Sequence, residues 1–352
     1  MMTSRERINL ALDHREADRI ARHDSPWRTT VQRWHEEGLP EGVSPAEYFG
    51  YEMRGAGADL TFGFDVEVLE ETGEYIIERN KQGAIRRNWK HATSTPECLE
   101  FTITDRQTWD RHNDRLEVTE DRIDWDILER FNEDREAGYW CPYRSALGYD
   151  KTQGIVGSEN LLMSMVTDPD WCREMFMTSA RMICEAAQIM MDGGFLFDGA
   201  FIYDDMGYRN GLLFSPEIYR SQLKDAHAMV CDFFHERGGK VILHSCGCVK
   251  ELMPDIIEAG VDCLQPLEVK AGMDVVQLKE MYGDDIAFMG GIDVRAMADP
   301  DPAAIEEEIR TKIPVARENG GYIYHSDHSV PDNVSFDRYC YVMELVEEYG
   351  QY

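Results

Sequence analysis

In the segment ILHSCGCVKEL, His244 and Cys246 follow a short apolar run at a spacing of two. In an extended chain that spacing puts both side chains on one side. An imidazole nitrogen next to a thiolate sulfur makes a good zinc-binding pair. Cys248 is close enough to be a third donor or to pack at a helix start. A second cluster, YIYHSDHSVPDNVS, holds His325, Asp327 and His328. Any of these three could complete a metal site with His244 and Cys246; a histidine there could instead hold a substrate carboxylate or act as an acid. Glu268 in CLQPLEVKAG and Asp293 in MGGIDVR also stand directly after apolar runs. Carboxylates there can ligate a metal, support a ligating histidine or anchor loop N–H groups; Asp293 reads best as a helix cap. Asp204 and Asp205, adjacent carboxylates behind Tyr203, are the candidates for catalytic acid or base work.

Positioning these groups needs strand ends that converge. From about residue 150 onward the sequence alternates helical spacing with short apolar runs. A helix is expected over 168–189, after Asp168-Pro169, then a strand in FLFDGAFIY, a helix from Ser215 to about Arg237 and a strand over 240–243. Further pairs follow: helix 249–259 with strand 261–265, helix 273–282 with strand 286–289, helix 302–319 with strand 321–324, and a closing helix over 335–349. Continuous apolar strands separated by helices imply a parallel sheet covered on both faces. A closed barrel gathers every strand end at one face, and the polar residues cluster just after the strands. No Gly-rich phosphate fingerprint follows the first strand. The expected fold is therefore α/β, a (β/α)8 TIM barrel spanning 1–352 as one domain.

Residues 1–150 read as its elaborated N-terminal region: helices, a hairpin in TGEYIIERNKQGAIRRNWK, an acidic helix over 121–136 and early barrel elements. Asp65 interrupts a strand-like stretch there. The aromatics Trp27, Trp34, Phe62 and Phe64 read more readily as core than as a pocket lining. Arg28 and Arg33 suit a solvated helix face as well as an anion.

With 67 acidic against 36 basic residues, the 352-residue chain has a formal charge of −31. No basic stripe is present, which excludes nucleic acid as the main partner and argues against an anionic membrane surface. A few local arginines can still serve an anionic small ligand. Nine cysteines in a chain of this size, mostly in apolar contexts, suit reduced thiols. The polar N-terminus and the absence of a long apolar run point to a cytoplasmic protein. Walker A, GxSxG, HExxH and zinc-deaminase signatures are missing.

The runs HSCGCVKELMPDIIEAGVDCLQPLE, MGGIDVRAM and HSDHSVP, with an N-terminal DRI and W-R-x-T-x-x-R-W-x-x-E-G-L-P, resemble the uroporphyrinogen decarboxylase superfamily. The N-terminal pattern is similar to its corrinoid-linked methyltransferase branch. The resemblance implies a (β/α)8 barrel, and for Asp65 and His328 the places of a pocket aspartate and a last-strand histidine. The decarboxylase arginine signature is absent: Trp27-Arg28-Thr29-Thr30-Val31 stands in its place. His244 and Cys246 match the branch's zinc pair, whereas Ser326-Asp327-His328 replaces its later cysteine. The metal set implied is thus drawn from His244, Cys246, Glu268, Asp327 and His328, with Asp65, Tyr203, Asp204, Asp205 and His328 as catalytic candidates. The implied activity is zinc-dependent transfer of a methyl group from a methoxylated or methylated small molecule to a corrinoid protein, which brings the cobalamin. A homodimer is also implied. The runner-up is a metal-free lyase acting on a carboxylated substrate, and the third reading is a binding protein on a barrel that has lost its chemistry.

Overall fold

Short apolar runs become the staves of a parallel barrel in the computed structural model, which describes residues 2–91 and 96–352. In chain order the strands are β1 (Ala21–Arg22), β2 (Glu67–Glu71), β3 (Tyr75–Arg79), β4 (Ala84–Trp89), β5 (Glu97–Phe101), β6 (Pro142–Ala146) and β7 (Gly199–Tyr203). They continue with β8 (Gly207–Tyr208), β9 (Gly211–Leu212), β10 (Lys240–His244), β11 (Cys263–Gln265), β12 (Ala287–Met289) and β13 (Tyr322–Tyr324). Seven of them form one sheet in the order β1-β13-β12-β11-β10-β7-β6, with every pair parallel.

The segment 52–56 joins the two edges of this sheet. It makes parallel bridges to the β6 side at Met53–Trp140 and Ala56–Tyr143, and the Glu52 N–H donates to the Arg22 carbonyl on the β1 side at 3.0 Å. Eight staves result, as expected for a (β/α)8 architecture. The Glu52 carboxylate secures the seam. It is buried and accepts from Arg7 at 2.9 Å, Arg19 at 3.2 Å and the Arg22 N–H at 2.7 Å.

Strand alternation divides the core in two. Ala21, Met53, Phe201, Ile242, Cys263, Ala287 and Ile323 form the barrel interior together with Ile8, Ala11 and Leu12 of the first helix (Ser4–Leu12). Val241, Leu243, Leu264, Phe288 and Tyr322 point the other way, into the shell shared with the outer helices. The first helix plugs the N-terminal end of the barrel, where Lys240 at the start of β10 pairs with Asp13 at 3.2 Å. Burying Ile8 and Leu12 there stabilises the closure by about 1.5–3 kcal/mol apiece.

The expected hairpin is β3–β4, flanked by β2 and β5 in a four-stranded antiparallel sheet. Helix positions agree with the periodicity over Pro169–Asp192, Pro302–Ala316 and Phe336–Tyr349. Two helices are shorter than the sequence suggests. The segment expected as helix 121–136 begins as isolated 3-10 turns and is α-helical only over Leu128–Glu136. The helix expected from Val249 is α-helical over Met253–Glu258, where Pro254 falls in the first turn and its missing N–H is not needed. All nine cysteines are unpaired, and among the described residues no helix is long and apolar enough to cross a membrane.

Candidate metal centre at the barrel mouth

The register of β10 sets the centre. His244, its last residue, is level with Tyr203 of β7 on one side and Gln265 of β11 on the other. Because Ile242 points into the barrel, His244 two residues on does so as well. The strand then runs into Ser245-Cys246-Gly247. Gly247 adopts φ +77, and a Cβ there would come within 2.3 Å of the Gly207 carbonyl carbon. Only glycine lets the loop turn back against β8 in this way. Further bonds fix the turn, from the Ser245 N–H to the Gln265 carbonyl at 2.8 Å and from the Met206 N–H to Ser245 Oγ at 3.0 Å.

Three side chains of metal-ligating type meet at this turn. His244 Nε2 lies 3.4 Å from Cys246 Sγ and 3.4 Å from Asp205 Oδ1, and donor atoms from all three lie within 4.8 Å of one another. Tetrahedral zinc with bonds of about 2.0 Å to nitrogen and 2.3 Å to sulfur sets its ligand atoms about 3.5 Å apart. The trio's spacing fits that ion, and His244 and Cys246 line the cavity. Among the described residues it is the one such cluster.

A chain of hydrogen bonds fixes the histidine's tautomer. His325 Nδ1 lies 2.7 Å from the Ser326 carbonyl, which only accepts, so the proton sits on Nδ1 and His325 Nε2 is an acceptor. Gln265 Nε2 donates to it at 3.4 Å, which turns Gln265 Oε1 toward His244 Nδ1, its hydrogen-bond partner. His244 therefore carries its proton on Nδ1 and presents the Nε2 lone pair to the metal position, the arrangement ligating histidines need.

Electrostatics around the trio favour a cation. Burial pushes the Cys246 thiol up, and the Asp205 and Glu268 carboxylates push it further; a bound cation reverses that balance and yields the thiolate. Burial also works to raise Asp205, yet its hydrogen bonds with His244 and the Cys246 N–H hold it below the usual carboxylate value. Asp150, which the sequence reading did not single out, is raised to about 6 by burial, with Asp205 and Asp204 nearby.

The other sequence candidates fall into place around the trio. Asp204 and Asp205 diverge, as neighbours on an extended chain do. Asp204 is buried, taking His227 Nε2 at 3.0 Å and the Asp150 N–H at 2.8 Å, while His227 Nδ1 meets the Tyr219 hydroxyl at 2.9 Å. Glu268 stands outside the trio and accepts the Gly247 N–H at 2.7 Å, with Lys270 at 2.8 Å. Asp327 also stands outside it, joining two loops by accepting the Val269 and Val294 N–H groups at 2.9 Å each. Burial raises Asp327 to about 6. Asp293 caps the Val294–Ala298 helix, as expected. His328 lines the cavity edge-on to Trp27, with ring centroids 5.9 Å apart. Asp65 is exposed just before β2 and does not line this cavity.

The cavity above the trio has a volume of about 360 Å³ and includes His23, Arg144, Tyr203, His325 and His328 in its lining, with Phe201 beneath. His23 and Arg144 come from the first part of the chain, where β1 is two residues long and β6 carries no apolar alternation to mark its register. Only their position next to a short run before a turn hinted at them. A larger surface groove of about 1020 Å³ between β5 and the 148–167 helices holds no ligating trio.

No curated protein sequence matches the chain. A methyltransferase from Methanosarcina mazei superposes with a TM-score of 0.66 at 15% identity, over 99% of each chain. A putative vitamin-B12 independent methionine synthase from Listeria monocytogenes overlays with a TM-score of 0.40 at 14% identity, over 94% of this chain and 96% of that one. The family model described as uroporphyrinogen decarboxylase (URO-D) matches residues 152–349, the part of the chain that carries β7 through β13 and all three members of the trio. The chain belongs to the uroporphyrinogen decarboxylase family.

Proposed function

We propose that this chain is a zinc-dependent methyltransferase that moves a methyl group from a methoxylated or methylated small molecule to a corrinoid protein. The observation that carries the reading is the convergence of Asp205, His244 and Cys246 on one point beside the cavity, with the histidine tautomer fixed for metal binding. The overall fold, similar to that of a solved methyltransferase, supports the same branch.

An ether or amine methyl is a reluctant electrophile because its leaving group is basic. Asp205, His244 and Cys246 would hold the zinc, whose Lewis acidity would stabilise charge on the departing heteroatom. The chain's own residues do the rest. Gln265 keeps His244 Nε2 available, and Glu268 holds the ligand loop closed on Gly247. Tyr203, level with His244, has its hydroxyl against the Arg144 guanidinium; as that group can only donate, the tyrosine proton is left free to point into the cavity. When the heteroatom–carbon bond breaks, its electron pair stays on the heteroatom, which takes up a proton, and Tyr203 is placed to give it. The methyl carbon is handed to the partner protein's reduced corrinoid cobalt, which provides the electron pair of the new bond.

Elemental analysis of chelator-free protein tests this. Stoichiometric zinc in the wild type, lost in a His244→Ala, Cys246→Ala double variant, is the expected result. It should be joined by methyl transfer from methylated substrates to a reduced corrinoid protein in the wild type alone. A wild type that takes up no metal even when zinc is supplied during folding would overturn the reading in favour of a metal-free lyase.

A further inference from the structure

The cavity above the trio has a composition at odds with the chain that builds it. The protein has 67 acidic residues and a charge of −31, yet none of the twelve residues lining this cavity is acidic, and five are arginine or histidine. Arg144 is the full positive charge among them. It occupies an inward position of β6, level with Phe201 of β7. Its guanidinium meets the Tyr203 hydroxyl and lies over the Phe201 and Tyr203 rings at 5.6 and 5.5 Å. Among the described residues no carboxylate pairs with it. In a surface so rich in carboxylates, an arginine aimed into a concave site and left without a counter-ion has a fork of donors to spare.

His23 adds a second donor on the same wall. Its Nδ1 is buried without a partner among the described residues, so Nε2 is the nitrogen left to meet a cavity ligand. Burial, with His325 and Arg144 nearby, keeps the ring neutral, and the single proton belongs on the nitrogen that can use it. Barrel order then fixes the geometry. Counting the 52–56 segment, β1 and β10 are four staves apart in either direction. His23 thus follows a stave opposite the one that carries His244, and Arg144 comes from β6, midway between them.

We infer that Arg144 and His23 form an anion subsite on the β6–β1 side of the barrel mouth, beside the metal trio, and that the substrate is a small methylated carboxylic acid. Its carboxylate sits on the Arg144 fork and its methylated heteroatom on the trio side. The volume of about 360 Å³ is at the small end of ligand pockets, which suits a single ring or a short chain between the two ends. The methyl-donor half of this inference rests on the function proposed above; the anion subsite itself does not.

Binding measurements separate the two. Calorimetric titration with 3-methoxybenzoate and methoxyacetate, each against its neutral amide, needs neither metal turnover nor the corrinoid partner. At least one acid is expected to bind about tenfold or more tighter than its amide. Arg144→Gln should erase that advantage, and Arg144→Lys should keep part of it, with far-UV circular dichroism unchanged in both. Equal affinity for acid and amide, no binding of either acid at millimolar concentration, or an advantage that survives Arg144→Gln would each overturn the inference. Zinc content of the same samples reports on the function independently. Acid selectivity without zinc would sink the methyl-transfer reading but keep the subsite; zinc without acid selectivity would do the reverse.

Discussion

Glu268 Oε2 accepts the backbone N–H of Gly247 at 2.7 Å, so a carboxylate that follows β11 clamps the loop that carries Cys246 after β10. The two residues are far apart in sequence, and neither belongs to the ligand trio. Together they hold the cysteine sulfur in range of His244 Nε2, and Lys270 at 2.8 Å offsets the buried charge.

Removing that clamp separates positioning from ligation. Glu268→Ala should lower zinc affinity by about 10–100-fold without abolishing stoichiometric binding at saturating metal. It should also cost about 1–3 kcal/mol of stability by leaving the Gly247 N–H unsatisfied. Chelator competition and urea unfolding measure the two effects. Complete loss of metal would instead make Glu268 a ligand.

Gln265 offers a cleaner perturbation of the histidine. Gln265→Leu removes the acceptor that keeps the proton on His244 Nδ1 and should cost about 10–100-fold in zinc affinity. Gln265→Glu keeps an acceptor there and should retain most of it. Chelator competition at fixed pH reads both, and equal affinities for the two variants would show that the tautomer chain does not matter.

Lys151 gives a pH-dependent signature away from the site. Among the described residues its buried Nζ meets only the Met182 sulfur at 4.0 Å, and burial, aided by the Arg122 charge, lowers it from 10.5 to about 7. Between those two values the unfolded chain binds the extra proton. Stability should therefore rise as pH climbs through that window and be lowest, and flat with respect to this group, below it. Lys151→Met should be more stable than wild type at neutral pH and should lose the rise. Urea midpoints across neutral and mildly alkaline pH check the sign.

Glu52 tests the barrel seam. Its carboxylate is the shared partner of Arg7, Arg19 and the Arg22 N–H, so Glu52→Ala leaves Arg7 to Asp18 alone, Arg19 with only Glu347 at 4.0 Å and the Arg22 N–H unsatisfied. A loss of about 3–5 kcal/mol is expected from denaturant unfolding. Zinc content of the folded fraction should be unchanged, because the seam lies on the far side of the barrel from the trio.

Much of this protein could be read from its sequence. Apolar runs separated by helical spacing from β7 onward sufficed for a parallel barrel, because continuous burial and helix periodicity are local properties. His244 and Cys246 were legible because two residues of extended chain share a side whatever surrounds them. The third member of the trio was not legible. Choosing Asp205 over Asp204, Glu268, Asp327 or His328 requires knowing which side of β7 faces inward and how the following loop packs, and both are set by the Gly207–Gly247 contact and the β7–β10 register. Likewise β1, two residues long, and β6, without apolar alternation, have no periodicity to detect, so His23 and Arg144 stayed hidden. Local pattern thus determined the strands, helices and the His244–Cys246 pair. Only barrel closure, which brings residues hundreds of positions apart into one layer, decided which carboxylate completes the trio and which hydrogen-bond donors share its cavity.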